Sequence, residues 1–252
     1  MIEAGYDEIT HVNQLVLGWL FDEETGADTR NPMLVLTGLA EAPDLDLGSA
    51  RVRHTIDLMH RHGVGVDTTA VILERHLLHR AGITLPADLP YLGHLPLELD
   101  RLLNRAEMPH ASIEELDNYA LAFGRLMDVI RLLHKEGLAL WPGTDDGTGF
   151  TLHRELELYV DAGISPAEVL RIATQDCASH VGQGETHGSI ERGKVATFVL
   201  LDGDPTADIS VLRHPRAVIK NGDLYFPSEI YAELNIDPFS AVPDVTLAAG
   251  TS

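Results

Sequence analysis

The loop at residues 142–147, with the sequence Pro-Gly-Thr-Asp-Asp-Gly, carries the clearest candidate for chemistry in this chain. It directly follows the apolar run at 138–141, which the pattern predicts as a buried strand. A carboxylate at the carboxyl end of such a strand is where α/β barrels place catalytic groups. Asp145 could therefore handle a proton or hold a ligand, although aspartates in glycine-rich loops more often form turns or cap helices.

His11 is the second candidate, because it closes a short predicted strand at residues 7–11. An isolated histidine is more often a structural residue than a ligand, so its place in the fold has to decide between the two. Asn13 follows closely and could face a substrate, although a polar loop explains this residue equally well.

Three further residues are candidates for contact with a substrate. Thr68 lies in the predicted strand at 64–72, where a β-branched residue is also ordinary strand composition. Thr144 belongs to the loop that carries Asp145. His153 lies one turn into the following helix and could either touch the substrate or cover the start of that helix.

The composition limits the class of protein. Of the 252 residues, 44% are hydrophobic, which is enough to form a sizeable core. Lys and Arg number 18 against 39 Asp and Glu, a net charge of −21, so we expect neither a nucleic acid nor a membrane as a partner. The single cysteine, Cys177, cannot form an internal disulfide. No long apolar run and no signal-peptide pattern stand out, so the sequence predicts a cytoplasmic protein.

The middle of the chain alternates between predicted helices and strands. Ser112 and Glu115 fit a capping box at the start of a long helix, and Ser165 followed by Pro166 starts another. Apolar strands are expected at 7–11, 64–72 and 138–142. Such strands separated by helices predict a parallel sheet covered by helices. The proline-containing segment 73–111 is expected to be a long loop that faces the substrate.

After residue 187 the pattern changes to short strands and turns. The pair Asn221-Gly222 separates two strand-like segments and is a strong hairpin signal. We therefore expect a small β domain at 188–237, followed by a loose tail at 238–252.

Several of these segments, taken in order, resemble the amidohydrolase superfamily, in particular the branch related to imidazolonepropionase and the metal-dependent dipeptidases. The resemblance rests on residues 4–11, 142–147, 153–158 (His-Arg-Glu-Leu-Glu-Leu), 162–170, 173–174, 188–194 (Gly-Ser-Ile-Glu-Arg-Gly-Lys) and 200–205. The succession over 138–226 is specific, whereas no single stretch is. One departure is Ala196-Thr197, where the family usually has Ala-Asp.

The resemblance implies an α/β fold, in which residues 1–187 form the C-terminal part of a (β/α)8 TIM-type barrel, about strands six to eight. Part of a small β-sandwich would follow. By order, Asp145 matches the metal-binding aspartate that ends strand eight, and His11 matches the metal-binding histidine that ends strand six. The metal is expected to be divalent, zinc in the first place, with manganese and iron as alternatives. Asp145 would take a proton from the activated water and pass it to the leaving nitrogen.

The implied reaction is hydrolysis of a C–N bond in an amide, cyclic amide or peptide-like small molecule. The family's His-x-His pair, its bridging lysine and its strand-five histidine have no counterparts in the right order. We therefore expect a truncated enzyme or one chain of a split enzyme, with the missing N-terminal half of the barrel or a second copy as partner. The alternative is a non-catalytic half-barrel that only assembles with a complementary chain. A dinucleotide-binding fold is disfavoured, because no Gly-x-Gly-x-x-Gly follows a strand.

Overall fold

The computed structural model describes residues 2–21, 34–80, 82–103 and 112–241 of the chain. The helices in these ranges are α1 (Val12–Leu20), α2 (Leu34–Thr37), α3 (Ala50–His62), α4 (Ala70–Leu78), α5 (Leu97–Leu103), α6 (Ile113–Lys135), α7 (Phe150–Asp161), α8 (Pro166–Arg171), α9 (Cys177–His180) and α10 (Pro227–Glu233). The strands are β1 (Glu8–Thr10), β2 (Gly65–Asp67), β3 (Leu140–Trp141), β4 (Phe198–Leu200), β5 (Ala217–Lys220) and β6 (Asp223–Tyr225). No helix in the described ranges is long and apolar enough to cross a lipid bilayer.

The first three strands form one parallel sheet in the order β1-β2-β3. The register places Thr10 opposite Asp67, and Asp67 opposite Trp141. The carboxyl ends of the three strands therefore lie side by side along one edge, which we call the carboxyl edge. The predicted succession of three strands separated by helices is confirmed, and each strand is shorter than its predicted range.

One face of this sheet packs into the hydrophobic core. Ile9, Val66 and Leu140 lie opposite one another in the register and are 5%, 0% and 2% exposed. They join a single cluster with buried side chains of the helices, among them α1, α4, α6 and α7. Helices are expected on this face, because both faces of a parallel sheet are normally covered in β/α folds.

The other face of the sheet is partly covered by α9. Since successive strand residues point to opposite faces, Glu8 and Trp141 project away from the core residues beside them. The imidazole of His180, in α9, stacks on the Trp141 indole with the ring centroids 4.2 Å apart. Its Nε2 lies 3.1 Å from a carboxylate oxygen of Glu8.

The long helix α6 begins where the sequence predicts. The Ser112 hydroxyl accepts a hydrogen bond from the Glu115 amide, and the Glu115 carboxylate accepts one from the Ser112 amide at 2.7 Å, so the capping box is confirmed. After the helix, Gly137 adopts a φ of 76°, a conformation that glycine reaches without steric cost. These local signals fix the segment that leads directly into β3.

The predicted strand at 64–72 is wrong in its second half. β2 ends at Asp67, and α4 begins at Ala70. The Thr69 side chain makes no cap to α4, and the Glu155 carboxylate on α7 accepts the hydrogen bond from the Val71 amide at 2.7 Å instead. This cap comes from a residue that is distant in the sequence and therefore gives no local signal for a helix start. The β-branched residues Val71 and Ile72 alone favoured a strand.

The predicted loop at 73–111 is also corrected in part. Most of α4, a 3₁₀ turn at Leu89–Tyr91 and helix α5 lie within it, while residues 81 and 104–111 lie outside the described part of the chain. The ring of Tyr91 is 3% exposed. Leu73, Leu77, Leu85 and Ala87 are buried as well, so the segment is packed over much of its described length.

The C-terminal strands form a three-stranded antiparallel sheet in the order β4-β5-β6. Asn221 and Gly222 have φ values of 55° and 91°, as a two-residue hairpin turn requires, so the predicted hairpin is confirmed. Among the described residues this sheet is a single layer, and the second layer of the expected sandwich is not present there.

The start of the predicted loose tail is packed rather than loose. The Phe239 ring stacks on the His94 imidazole, with centroids 4.2 Å apart, and makes an edge contact with Tyr91 at 5.7 Å. The Asp237 amide donates to the carbonyl of His94 at 2.8 Å. The remainder of the tail, residues 242–252, lies outside the described residues.

A chain of four buried or half-buried charges holds α7 to its neighbours. Arg154 donates to both carboxylate oxygens of Glu74 in α4, at 3.0 and 2.7 Å, and to Glu157 at 3.3 Å. Arg213 donates to both oxygens of Glu157 at 2.6 Å each, and its guanidinium lies 5.0 Å from the centroid of the Tyr91 ring. Each guanidinium is thus placed between acceptors, which offsets the cost of removing its charge from water.

We expect the substitution Arg213→Ala to destabilise the fold by about 3–5 kcal/mol, because it removes one of the two guanidinium partners of the largely buried Glu157 carboxylate. The free energy of unfolding in urea measures this effect. Arg216→Ala is the matched control, since Arg216 pairs with Asp202 while their side chains are 55% and 72% exposed, and its loss should cost less than about 1 kcal/mol. Equal effects of the two substitutions would contradict a structural role of the charge chain.

Candidate functional site

Each of the three parallel strands is followed, at the carboxyl edge, by a residue in an unusual backbone conformation. His11, Thr69 and Asp145 have φ values of 69°, 44° and 47°. Positive φ is uncommon for residues other than glycine and is a true outlier for a β-branched threonine. Strained residues of this kind persist only where the surroundings hold them, and they concentrate at functional sites. The carboxyl edge is therefore the candidate site.

The structure brings the two principal sequence candidates together at this edge. The Nε2 atom of His11 lies 3.6 Å from Oδ2 of Asp145, and the two side chains are 31% and 61% exposed. Two ligand atoms at about 2.0–2.2 Å from one tetrahedral ion lie about 3.3–3.6 Å apart. The spacing of this nitrogen and this oxygen therefore fits a shared divalent ion.

Backbone hydrogen bonds join the end of β2 to His11 on one side and to the end of β3, four residues before Asp145, on the other. The His11 amide donates to the Asp67 carbonyl at 2.8 Å, and the Val12 amide donates to the Thr68 carbonyl at 3.1 Å. On the other side, the Thr68 amide donates to the Trp141 carbonyl at 3.0 Å. One dipeptide thus fixes the residue after β1 and the last residue of β3.

Asp67 is a carboxylate at the carboxyl edge that the sequence reasoning missed. Its Oδ1 atom is buried and has no hydrogen-bond partner within the described residues. Burial raises the pKa of this carboxyl, as does the nearby charge of Glu8, while His11 acts in the opposite direction. The strand predicted at 64–72 placed Asp67 in mid-strand, and only the true end of β2 reveals that it lies beside His11.

Gly143 provides the space that the Asp67 side chain occupies. A Cβ atom added at Gly143 would overlap the Asp67 carboxylate. The glycine therefore lets the loop after β3 pass directly over this carboxylate, two residues before Asp145. This close approach explains why a glycine stands at position 143.

Glu155, also missed from the sequence, lies behind the carboxyl edge with no exposed surface. Its carboxylate accepts hydrogen bonds from the Thr68 hydroxyl and from the amide of Val71, and the Thr68 hydroxyl lies 2.8 Å from the Tyr159 hydroxyl. Burial raises the pKa of Glu155 from 4.5 to about 7 against the effect of these donors. The signal in the sequence was a carboxylate four residues before Tyr159, on the apolar face of the helix.

The other predicted substrate contacts lie in different surroundings. Thr68 is fully buried and Asn13 is 1% exposed, so neither side chain reaches the surface of the described structure. Thr144 is half-buried in the loop before Asp145. These three assignments stay predictions, and burial gives no support to the first two.

His153 has a charged environment of its own. Burial, followed by the charge of Arg213, lowers the pKa of its imidazole to about 4, while Glu157 acts against this and His214 adds to it. Its electrostatic neighbours thus belong to the charge chain and to the segment after α9, and its contact with a substrate stays a prediction. Within the described ranges, no group of three His, Cys, Asp or Glu side chains converges as a metal site.

We expect Gly143→Ala to destabilise the chain by about 1–3 kcal/mol, because the added methyl group forces the loop and the Asp67 carboxylate apart. Gly147→Ala is the control in the same loop, since its Cβ would meet no atom within 4 Å. Unfolding in urea measures both. In an Asp67→Ala background the cost of Gly143→Ala should shrink, and an unchanged cost would contradict the proposed overlap.

Glu155 should make the fold less stable as the pH rises. Its pKa is higher in the native state than the ordinary 4.5, so between pH 4.5 and about 7 the native state binds more protons than the unfolded chain. Stability should therefore decline over this window by an amount on the order of 2 kcal/mol more in the parent chain than in Glu155→Gln. Urea unfolding at several pH values tests this, and parallel curves for the two proteins would contradict it.

Comparison with known proteins places these features in a family. The profile of the Amidohydrolase family matches residues 25–225. Ochratoxinase from Aspergillus niger is 32% identical over 96 residues, which are 36% of this chain and 20% of that enzyme. Imidazolonepropionase from Pseudomonas fluorescens is 38% identical over 80 residues, which are 31% of this chain and 20% of that enzyme. The matched part is thus a fifth of the length of these curated relatives.

Solved structures agree in fold. A Xaa-Pro dipeptidase aligns with a TM-score of 0.54 and 22% identity, over 89% of this chain and 41% of that protein. Aspergillus niger ochratoxinase aligns with a TM-score of 0.52 and 19% identity, over 89% of this chain and 38% of that protein. The chain spans well under two thirds of either structure. With the profile matching most of its length, this chain belongs to the amidohydrolase family.

Proposed function

We propose that this chain carries part of the active site of a metal-dependent hydrolase that cleaves C–N bonds. The observation that carries the proposal is the 3.6 Å approach of His11 Nε2 and Asp145 Oδ2 at the carboxyl edge of a parallel sheet. Family membership supports the reaction class, as do the names of the similar proteins, a Xaa-Pro dipeptidase and an ochratoxinase. The substrate would be a small amide, cyclic amide or peptide-like molecule.

In this proposal His11 and Asp145 would hold one divalent ion, zinc in the first place, with manganese or iron also suited to such ligands. A bound ion would supply a water molecule whose pKa is lowered to about 7. Asp145 accepts the proton of the attacking water and returns it to the leaving nitrogen. Its exposed position suits this role, because the carboxylate can reach a substrate without moving the buried residues behind it.

We also propose that further ligands and strands come from additional polypeptide. Two ligands are fewer than the three that hold catalytic zinc, and no third donor joins them within the described residues. Among the residues that the structure describes, β1 and β3 each pair with a neighbouring strand on one side only. A cavity of about 280 Å³ runs along β3, and its lining combines apolar residues such as Leu138 and Leu140 with the titratable side chains of His134, Glu168, Arg171 and Asp176.

The additional polypeptide would be an N-terminal half-barrel, as part of a longer chain or as a partner chain, or a second copy of this chain. A non-catalytic half-barrel, which only assembles with a complementary chain, is the second candidate, favoured by the two-ligand site. The charge of −21 argues against nucleic-acid and membrane partners. The cytoplasmic location stays a prediction.

We expect Asp145→Asn to lower kcat of the active assembly by about 10²–10⁴-fold, because the amide cannot carry the proton. Hydrolysis of dipeptides, N-acyl amino acids and cyclic amides in the presence of zinc measures this. Asp146→Asn is the control in the same loop, since its side chain accepts from the Thr148 amide at 2.8 Å and an asparagine can do the same. Full turnover by Asp145→Asn would contradict the catalytic role.

The zinc content of the chain tests whether the metal site needs ligands from additional polypeptide. This chain by itself should bind zinc weakly, and binding should tighten when the complementary polypeptide is added. Equilibrium dialysis followed by metal analysis measures the stoichiometry. Tight stoichiometric zinc together with turnover by this chain alone would contradict the need for further ligands.

A further inference from the structure

We propose that Glu155 is a positioning residue, which fixes Thr68 and through it the two strand ends that carry His11 and Asp145. The inference deepens the proposed function, on which it rests only for the chemical roles of His11 and Asp145. The positions themselves can be tested without any reaction.

The first step is the contact between Glu155 and the end of β2. The Thr68 hydroxyl donates to Oε1 of Glu155, and the Val71 amide donates to Oε2 at 2.7 Å. Both oxygens are thus engaged by a segment that lies 84 to 87 residues away in the sequence. The side chain has no exposed surface, so no solvent can replace these donors.

The second step is the contact between Thr68 and both neighbouring strand ends. Its carbonyl accepts from the Val12 amide at 3.1 Å, immediately after His11. Its own amide donates to the Trp141 carbonyl at 3.0 Å, at the end of β3. A displacement of Thr68 would therefore move the attachment points of both candidate ligands.

The third step is the strain at the following residue. Thr69 has a φ of 44° and its side chain does not cap α4. A strained residue persists only when its surroundings hold it, and here a carboxylate from another helix binds Thr68 and Val71, one on each side of Thr69. A carboxylate accepts from the helix amides and from a hydroxyl at the same time, which an apolar residue in this place could not do.

The test is hydrogen exchange of individual amides, followed by NMR on the metal-free chain. In Glu155→Ala, the amides of His11, Val12 and Thr68 should exchange about tenfold faster relative to core amides of α6 such as Leu126. A purely structural loss of stability would accelerate all of these amides together. Glu155→Gln should restore most of the protection, because its carbonyl oxygen can accept from the helix amides while its NH₂ group donates to Thr68.

Glu74→Ala is the matched control, since it removes a buried carboxylate that joins the same two helices without contacting Thr68. In Glu74→Ala, any faster amide exchange should not be concentrated at His11, Val12 and Thr68. If Glu155→Ala does not fold, Thr68→Val keeps the β-branched shape, removes the hydroxyl and should give the same selective loss.

Uniform acceleration in Glu155→Ala, or loss confined to the start of α4, would overturn the inference, as would Thr68→Val with unchanged strand ends. Because exchange is measured without metal or substrate, these outcomes leave the proposed hydrolysis untouched. Conversely, an Asp145→Asn protein that retains turnover would refute the catalytic role of Asp145 without changing the exchange pattern.

Discussion

The hydrogen bonds to the buried carboxylate of Glu155 are the contacts on which the carboxyl edge depends. Without them the first amides of α4 and the Thr68 hydroxyl would be buried polar groups with a lost partner, and a buried carboxylate without donors would be equally unfavourable. The hydrogen bonds from the Thr68 hydroxyl and the Val71 amide to Glu155 satisfy the donors and the carboxylate at the same time. As a result, β2 ends where it does, and its last residues lie between the strand ends on either side.

The helix that carries Glu155 has a central place in the fold. α7 follows the Asp145 loop directly, and its Arg154 and Glu157 join α4 to the segment that holds Arg213. Its other side packs Tyr159 into the core with no exposed surface. Helix α7 therefore contacts both α4 and the segment that contains Arg213, and it directly follows the loop that carries Asp145.

The candidate site contrasts with this rigid support. His11 and Asp145 are partly exposed, while the residues that hold their backbone are buried. Because His11 and Asp145 are accessible at the carboxyl edge, an ion, a substrate or additional polypeptide can bind to them there. Family membership and activity of this chain are therefore separate statements. The first follows from the match over residues 25–225, and the second depends on what completes the site.

Features that depend on a few neighbouring residues were determined by the sequence alone. The capping box at Ser112, the Asn221-Gly222 hairpin and the succession of three parallel strands separated by helices all follow from local hydrogen bonds or apolar periodicity. The pairing of His11 with Asp145 was expected from a resemblance, and the parallel register gives it a geometric cause. Only the tertiary structure decided where β2 gives way to α4, that Thr68 faces Glu155 and Tyr159, and that Asp67 lies beside His11. The reason is physical, since these outcomes depend on groups more than 50 residues apart in the sequence, which no local pattern brings together.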